Sequence, residues 1–237
     1  MTTIAIFGAG PALGLATARR FGREGYRVGL VARDAGHLDA LAAELSDAGV
    51  EAAGFTADLT DRAAALGAAE AIEARFGPID VLAYSPAGDG VRGQPSELAV
   101  ETGARLLEAC VLTPLALVRR LLPGLRERGD GGLLFALGAA ARYPVPGLAG
   151  GSLALAGLRA YLHALHDELA PAGVFAGNLL IGALIEGSAA HRNAAAWGGS
   201  AMAVVSADDL AERFWDMYTR RDRVEDTVAP GLAAAGA

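Results

Sequence analysis

Short apolar runs alternate with longer segments of helical period from one end of the chain to the other. Residues 4–7 form the first run. A glycine-rich turn separates it from a helix predicted over 12–24, with Gly25 placed to stop it. Strands follow at 26–32 and 50–56, with a helix over 36–48 between them that Gly49 ends. Thr60 and Asp61 open a helix that runs to Phe76, Gly77-Pro78 stops it, and 79–83 is a fourth strand. The stretch 84–96 holds several Gly and Pro residues and reads as loop. A long helical stretch over 101–128 carries Pro114 and Pro123, which should kink or split it. Residues 133–137 are a fifth strand and 138–150 a loop. Over 151–170, Leu155, Leu158, Leu162, Leu165 and Leu169 line one stripe of a helix. A sixth strand at 174–181, an irregular insert over 182–205 and a helix over 207–220, capped by Ser206, complete the pattern. A seventh strand has room for only a few residues around 224–228.

Strands alternating with helices predict an α/β fold: one Rossmann-type doubly wound parallel sheet of six to seven strands, with helices on both faces. No domain boundary or internal repeat interrupts residues 1–237, which read as a single domain with an irregular insert over 182–205. The chain is 53% hydrophobic and 20% charged, the balance of a globular protein. A net charge of −7 and dispersed basic pairs (Arg19-Arg20, Arg119-Arg120, Arg220-Arg221) argue against a nucleic-acid partner. No apolar run reaches the length of a membrane span. The start goes straight into a strand without room for a signal peptide, and the single cysteine, Cys110, excludes an internal disulfide or a cysteine metal cluster. A cytoplasmic location is therefore expected, with no metal.

The first turn carries the first chemical signal. Gly8-Ala9-Gly10-Pro11-Ala12-Leu13-Gly14 lies between strand and helix, where glycines let the backbone turn tightly. A pyrophosphate can then approach the free N–H groups and positive dipole of the helix start. The second strand closes on Val31-Ala32-Arg33-Asp34. Ala32 stands where an acid would select the ribose hydroxyls of NAD(H), and the Arg33 guanidinium suits the 2′-phosphate of NADP(H), so NADP(H) is expected over NAD(H). The turn fits the G-x-x-x-G-x-G spacing of the short-chain dehydrogenase/reductase family, with Ala12 in place of the middle glycine. The chain resembles that family over about residues 3–220. The resemblance implies that Asp58-Leu59 contacts the adenine ring and that Ser85-Pro86-Ala87-Gly88 replaces the family's Asn-Asn-Ala-Gly after the fourth strand.

The catalytic half departs from the family. A Ser, a Tyr-x-x-x-Lys pair and an Asn form its proton relay: Tyr exchanges a proton as hydride moves, Lys lowers its pKa, and Ser steadies the substrate oxygen. This chain contains no lysine at all; its twenty basic side chains are all arginine. Alignment places Gly138 at the Ser position, Gly151 at the Tyr position, Leu155 at the Lys position and Cys110 at the Asn position. Tyr84, Tyr143 and His191 are candidate replacements, His191 having the most suitable intrinsic pKa. Ser85 follows Tyr84 at the end of the fourth strand, and Glu186 and Asn193 lie with His191 in the insert over 182–205, which the resemblance implies covers the substrate. His163 and His166, beside the leucine stripe, read as surface or subunit-contact residues, and Asp208-Asp209 as charges that suit a helix start.

Three functions fit these residues. The first is an NADP(H)-using oxidoreductase with a non-standard site, acting on a mostly apolar small molecule, since residues 138–150 and 182–205 carry little charge. The second is a family member that lost redox chemistry, an isomerase or cyclase that uses the pocket to orient its substrate. The third is a sensor or scaffold that binds NADP(H) without turnover. Two helices over 101–122 and 151–170, apolar on more than one face, imply a homodimer or homotetramer.

Overall fold

The computed structural model describes residues 2–86, 94–145, 147–194 and 202–230. In chain order the elements begin with β1 (Thr3–Phe7), α1 (Leu13–Gly22), β2 (Arg27–Ala32), α2 (Ala35–Asp47), β3 (Ala52–Thr56), α3 (Arg62–Phe76) and β4 (Val81–Tyr84). After them come α4 (Val100–Leu107), a π turn (Glu108–Leu112), α5 (Thr113–Arg128), β5 (Gly131–Gly138), α6 (Ala149–Leu169) and β6 (Val174–Ile181). The chain continues through β7 (Leu184–Ile185), α7 (Ala189–Asn193), β8 (Val204–Val205), α8 (Ala207–Arg220) and β9 (Glu225–Val228). Seven strands form one sheet in the order β3-β2-β1-β4-β5-β6-β9, and every pairing in it is parallel. This is the doubly wound architecture that the alternation predicts.

The sheet is buried on both faces because its strands are apolar at successive positions. Ile4 and Ile6 of β1 pack into one core with Leu15 and Phe21 of α1, Leu38 and Leu41 of α2, and Phe214 and Met217 of α8. Ala5 and Phe7 point the other way, toward Ile72 and Phe76 of α3, Leu117 and Leu121 of α5, and Leu158 and Leu162 of α6. Helix starts follow their caps: Asp34 accepts from His37 N at 2.9 Å, Asp61 from Ala64 N at 3.0 Å and Ser206 from Asp209 N at 3.4 Å. Strand order reverses between β1 and β4, and the carboxyl ends of these strands, Phe7 and Tyr84, lie in register. That is where ligands of such sheets bind.

Three expectations need correction. The long stretch over 101–128 breaks once, not twice. The π turn sits just before Thr113-Pro114, whereas Pro123 lies inside an unbroken α5. Pro123 and Arg119, whose carbonyl it leaves without a helix bond, are both exposed, so that carbonyl is not sealed in the core and the helix runs on. β5 is also longer than expected and ends at Gly138, because it pairs with β6 along its full length from Gly131↔Val174 to Gly138↔Ile181. Tertiary pairing there outweighs the weak strand preference of its glycines. The insert over 182–205 is not wholly irregular either, since Leu184–Ile185 pairs with Val204–Val205. No described helix is long and apolar enough to cross a membrane.

Candidate active site

The turn after β1 is fixed by the strands around it. The N–H groups of Gly8 and Ala9 both donate to the Val31 carbonyl at 2.9 Å, which ties the turn to the end of β2. Gly8 has φ +88°, and a Cβ there would lie 2.5 Å from the Ser85 carbonyl oxygen and 2.6 Å from Pro86 Cα. Only glycine fits between the turn and the strand beside it. Gly14 lets α1 seat closely, since a Cβ would lie 2.9 Å from Ala9 Cα. Gly10 differs: among the described residues nothing lies within 4 Å of its absent side chain, so the turn is open there. Pro11 is exposed beside it. Ala12 (7% exposed) and Leu13 are buried, so the Ala12 methyl hardly enters the open side. No side chain caps α1, and its first turn holds no acid. The helix start is thus electropositive and uncapped, facing open space.

At the rim, Arg33 and Asp34 part company. Asp34 is the N-cap of α2, so its carboxylate is engaged by backbone. Arg33 is exposed and close enough to Asp58 to act on its charge. Asp58 accepts from the Thr60 N–H and hydroxyl, both at 2.9 Å. Those bonds, together with Arg33, hold its carboxyl below the usual range. Leu59 turns into the core. Ser85 N donates to Phe7 O at 2.8 Å, which aligns the chain after β4 with the turn after β1. Ala87 lies outside the described residues.

The relay positions converge, but without proton-transfer groups. A Cβ on Gly138 would lie 3.6 Å from Leu155 Cδ1, so the end of β5 and α6 face one another there. Gly151 is one helical turn before Leu155 on the same side, and no described atom lies within 4 Å of its absent side chain. Cys110 sits in the π turn, where burial pushes its thiol up to about 11.

The replacement candidates occupy different settings. Tyr84 is 1% exposed, donates to the Ala109 carbonyl in the π turn and is flanked by Phe7 and Phe135. Burial pushes its pKa upward, so its placement is that of a buried prop for the π turn. His191 is engaged within its own segment: its Nδ1 accepts from Gly187 N at 3.2 Å. Glu186 and Asn193 are exposed. Tyr143 is half-buried in the turn after β5, with the Arg142 guanidinium 5.3 Å from its ring centre. His163 and His166 are half-buried beside the leucine stripe. His166 Nδ1 donates to the Ala176 carbonyl at 2.8 Å, and His163 Nε2 lies 3.2 Å from Glu225 of β9. Asp208 and Asp209 fall in the first turn of α8, as expected. Among the described residues no group of three or more His, Cys, Asp or Glu could hold a metal.

A doubly wound parallel sheet with an uncapped, glycine-lined helix start at its switch point defines a nucleotide-binding α/β protein. Residues 2–195 match the family described as short chain dehydrogenase, and the chain belongs to that family of oxidoreductases. It is 33% identical over 171 residues to a putative ketoacyl reductase of Streptomyces coelicolor, covering 71% of this chain and 65% of the relative. It spans less than half the length of two further curated relatives. Among solved structures, an actinorhodin polyketide ketoreductase variant with NADPH superposes with a TM-score of 0.86 at 26% identity, covering 98% of this chain and 97% of the other. A metagenomic short-chain oxidoreductase in complex with NADP gives 0.79 at 26% identity, covering 98% of each.

Proposed function

We propose that this protein binds NADP(H) across the carboxyl ends of β1 and β4 and acts as a short-chain oxidoreductase whose site lacks the family's proton relay. The nucleotide would lie against the backbone of Gly8, Gly10, Pro11, Ala12, Leu13 and Gly14. Arg33 would contact the 2′-phosphate, Asp58 and the backbone of Leu59 would border the adenine, and Ser85 and Pro86 would flank the nicotinamide side. The open side of Gly10 and the uncapped start of α1 fit a pyrophosphate, and the engagement of Asp34 as a helix cap leaves Arg33 to select the cofactor. Both structural neighbours named above that hold a cofactor carry NADPH or NADP, which supports the same choice. When bound, the nicotinamide supplies or accepts a hydride.

The observation that carries the unusual chemistry is the approach of Leu155 to Gly138, where a Cβ would lie 3.6 Å from Leu155 Cδ1, beside a Gly151 whose missing side chain meets no described atom within 4 Å. A phenol and an ammonium are replaced by space and an apolar wall, which suits a bulky, mostly apolar substrate. This chain's residues then orient that substrate and exclude water, and the reaction tolerates the loss of a positioned acid. The same geometry favours one other reading, a relative that orients its substrate without redox change. The whole chain works as one domain in either case.

Fluorescence titration with both reduced cofactors tests the first part. NADPH should bind more tightly than NADH, and Arg33→Ala should weaken NADPH by about tenfold while sparing NADH, the size of one charge-assisted contact. Equal affinities would remove the role of Arg33, and no binding would remove the cofactor. Simple ketones and secondary alcohols should give no turnover, since a positioned acid or base is worth roughly a hundredfold to ten-thousandfold. Turnover at ordinary rates would show that another residue supplies the proton, with Tyr143 the first to replace.

A further inference from the structure

Glu225 lies on β9, a strand of four residues that joins the sheet only along β6. Its side chain is 9% exposed. A carboxylate so placed is costly unless it is paired, and four donors from three separate elements meet it. Arg159 of α6 grips both oxygens, its Nη2 2.9 Å from Oε1. His163, one turn further along α6, places Nε2 3.2 Å from Oε2. Asn178 of β6 donates at 2.9 Å, and Arg142, from the turn after β5, reaches Oε1 at 3.3 Å. Burial pushes the carboxyl up, but the bonds from Arg159, Asn178 and His163 outweigh it and hold the group down at about 2.

The partners coincide with the walls of the candidate site. Arg142 lies four residues after Gly138, and Arg159 lies one helical turn after Leu155, the residue that faces Gly138. The Arg142 guanidinium also lies over Tyr143. The end of β5 and helix α6 are therefore both anchored, a few residues away, to the same carboxylate. Without that charge two guanidiniums would be left facing one another across the turn. We propose that Glu225 is a positioning residue: it ties the turn after β5 and helix α6 to the C-terminal strand and so sets how closely Leu155 approaches Gly138.

Hydrogen–deuterium exchange on the full chain, read peptide by peptide in Glu225→Gln, Glu225→Asp and Arg142→Ala, tests the proposal without needing a substrate. Glu225→Gln should speed exchange at least tenfold over 139–145 and over the first half of α6, with rates in β1 and α1 unchanged. Glu225→Asp, which keeps the charge on a shorter arm, should restore part of the protection. Arg142→Ala, which removes a half-exposed guanidinium and so should fold normally, should loosen 139–145 and leave α6 as it was. A uniform rise along the whole chain would mark Glu225 as a plain stabiliser and overturn the proposal, as would unchanged exchange over 139–145 in Arg142→Ala. NADPH titration of the same variants keeps the two readings apart: loss of nucleotide binding in the unaltered protein would end the cofactor reading and leave the exchange result standing.

Discussion

Arginine carries every positive side chain of this protein, and its forked geometry shapes the ion pairs seen here. Arg62 meets both oxygens of Glu108 beside the π turn at 2.9 Å each, and Arg159 meets both of Glu225. Glu225 makes a pH prediction possible. Its pKa is held at about 2 in the folded protein, against about 4.5 when the chain is unfolded. The stabilisation is complete above about pH 4.5 and is lost as pH falls from there toward 2. A depression of this size corresponds to on the order of 3 kcal/mol. The charged and titratable groups facing it are Arg142 from the turn after β5 and Arg159 and His163 from α6, and the two guanidiniums stay charged throughout. Unfolding by denaturant across pH 2 to 6 should therefore show a steeper acid loss in the unaltered protein than in Glu225→Gln. Equal slopes would show that the carboxylate contributes nothing to acid stability.

At the scale of the element, the turn between β1 and α1 separates two glycines that look alike in sequence. Gly8 is wedged at positive φ against the backbone of Ser85 and Pro86, and Ser85 is itself tied to Phe7. Gly10 faces open space. Gly8→Ala should cost about 2 kcal/mol or more, from left-handed strain plus contact with backbone that cannot retreat. Thermal unfolding should shift down by roughly 5 °C for a chain of this size. Gly10→Ala should leave the unfolding temperature unchanged and weaken NADPH, because its methyl would occupy the space of the pyrophosphate. A reversal of that pattern would mean the turn is used differently. The π turn is a second element whose role appears only in three dimensions. It frees the Ala109 carbonyl, which the buried Tyr84 hydroxyl then takes up, so the tyrosine that ends β4 serves the scaffold.

At the scale of the whole molecule, large apolar side chains remain exposed on the helices beyond the site. Leu107 is 38% exposed at the end of α4, Leu112 40% at the end of the π turn, and Leu153 55% on α6. α4 and the π turn both pack against α6, so these residues belong to one neighbouring set of helices. A face of this kind is covered by a second copy more readily than by water, and a symmetric homodimer, or a tetramer built from it, follows as the expected assembly. Light scattering at micromolar concentration should give a multiple of the 24.0 kDa chain mass. A monomer would refute it, and Leu153→Arg should dissociate the assembly without unfolding the chain.

The sequence determined the strand and helix order, because burial on both faces writes nearly unbroken apolar runs into β1, β4, β5 and β6 and a 3.6-residue stripe into α6. It also determined that no Tyr-x-x-x-Lys pair can operate, since a residue type that is absent cannot be supplied by folding. The turn at Gly8 to Gly14 was legible for the same reason: its chemistry is local. The tertiary structure decided the rest. That the Asp34 carboxylate is engaged as a helix cap depended on where α2 begins, and whether Leu155 approaches Gly138 depended on the pairing of β5 with β6. The Glu225 cluster had no trace in the sequence, because its partners at 142, 159, 163 and 178 meet only when a four-residue strand docks at the edge of the sheet. Contacts between residues dozens of positions apart leave no periodicity to read, and here they are the contacts that shape the site.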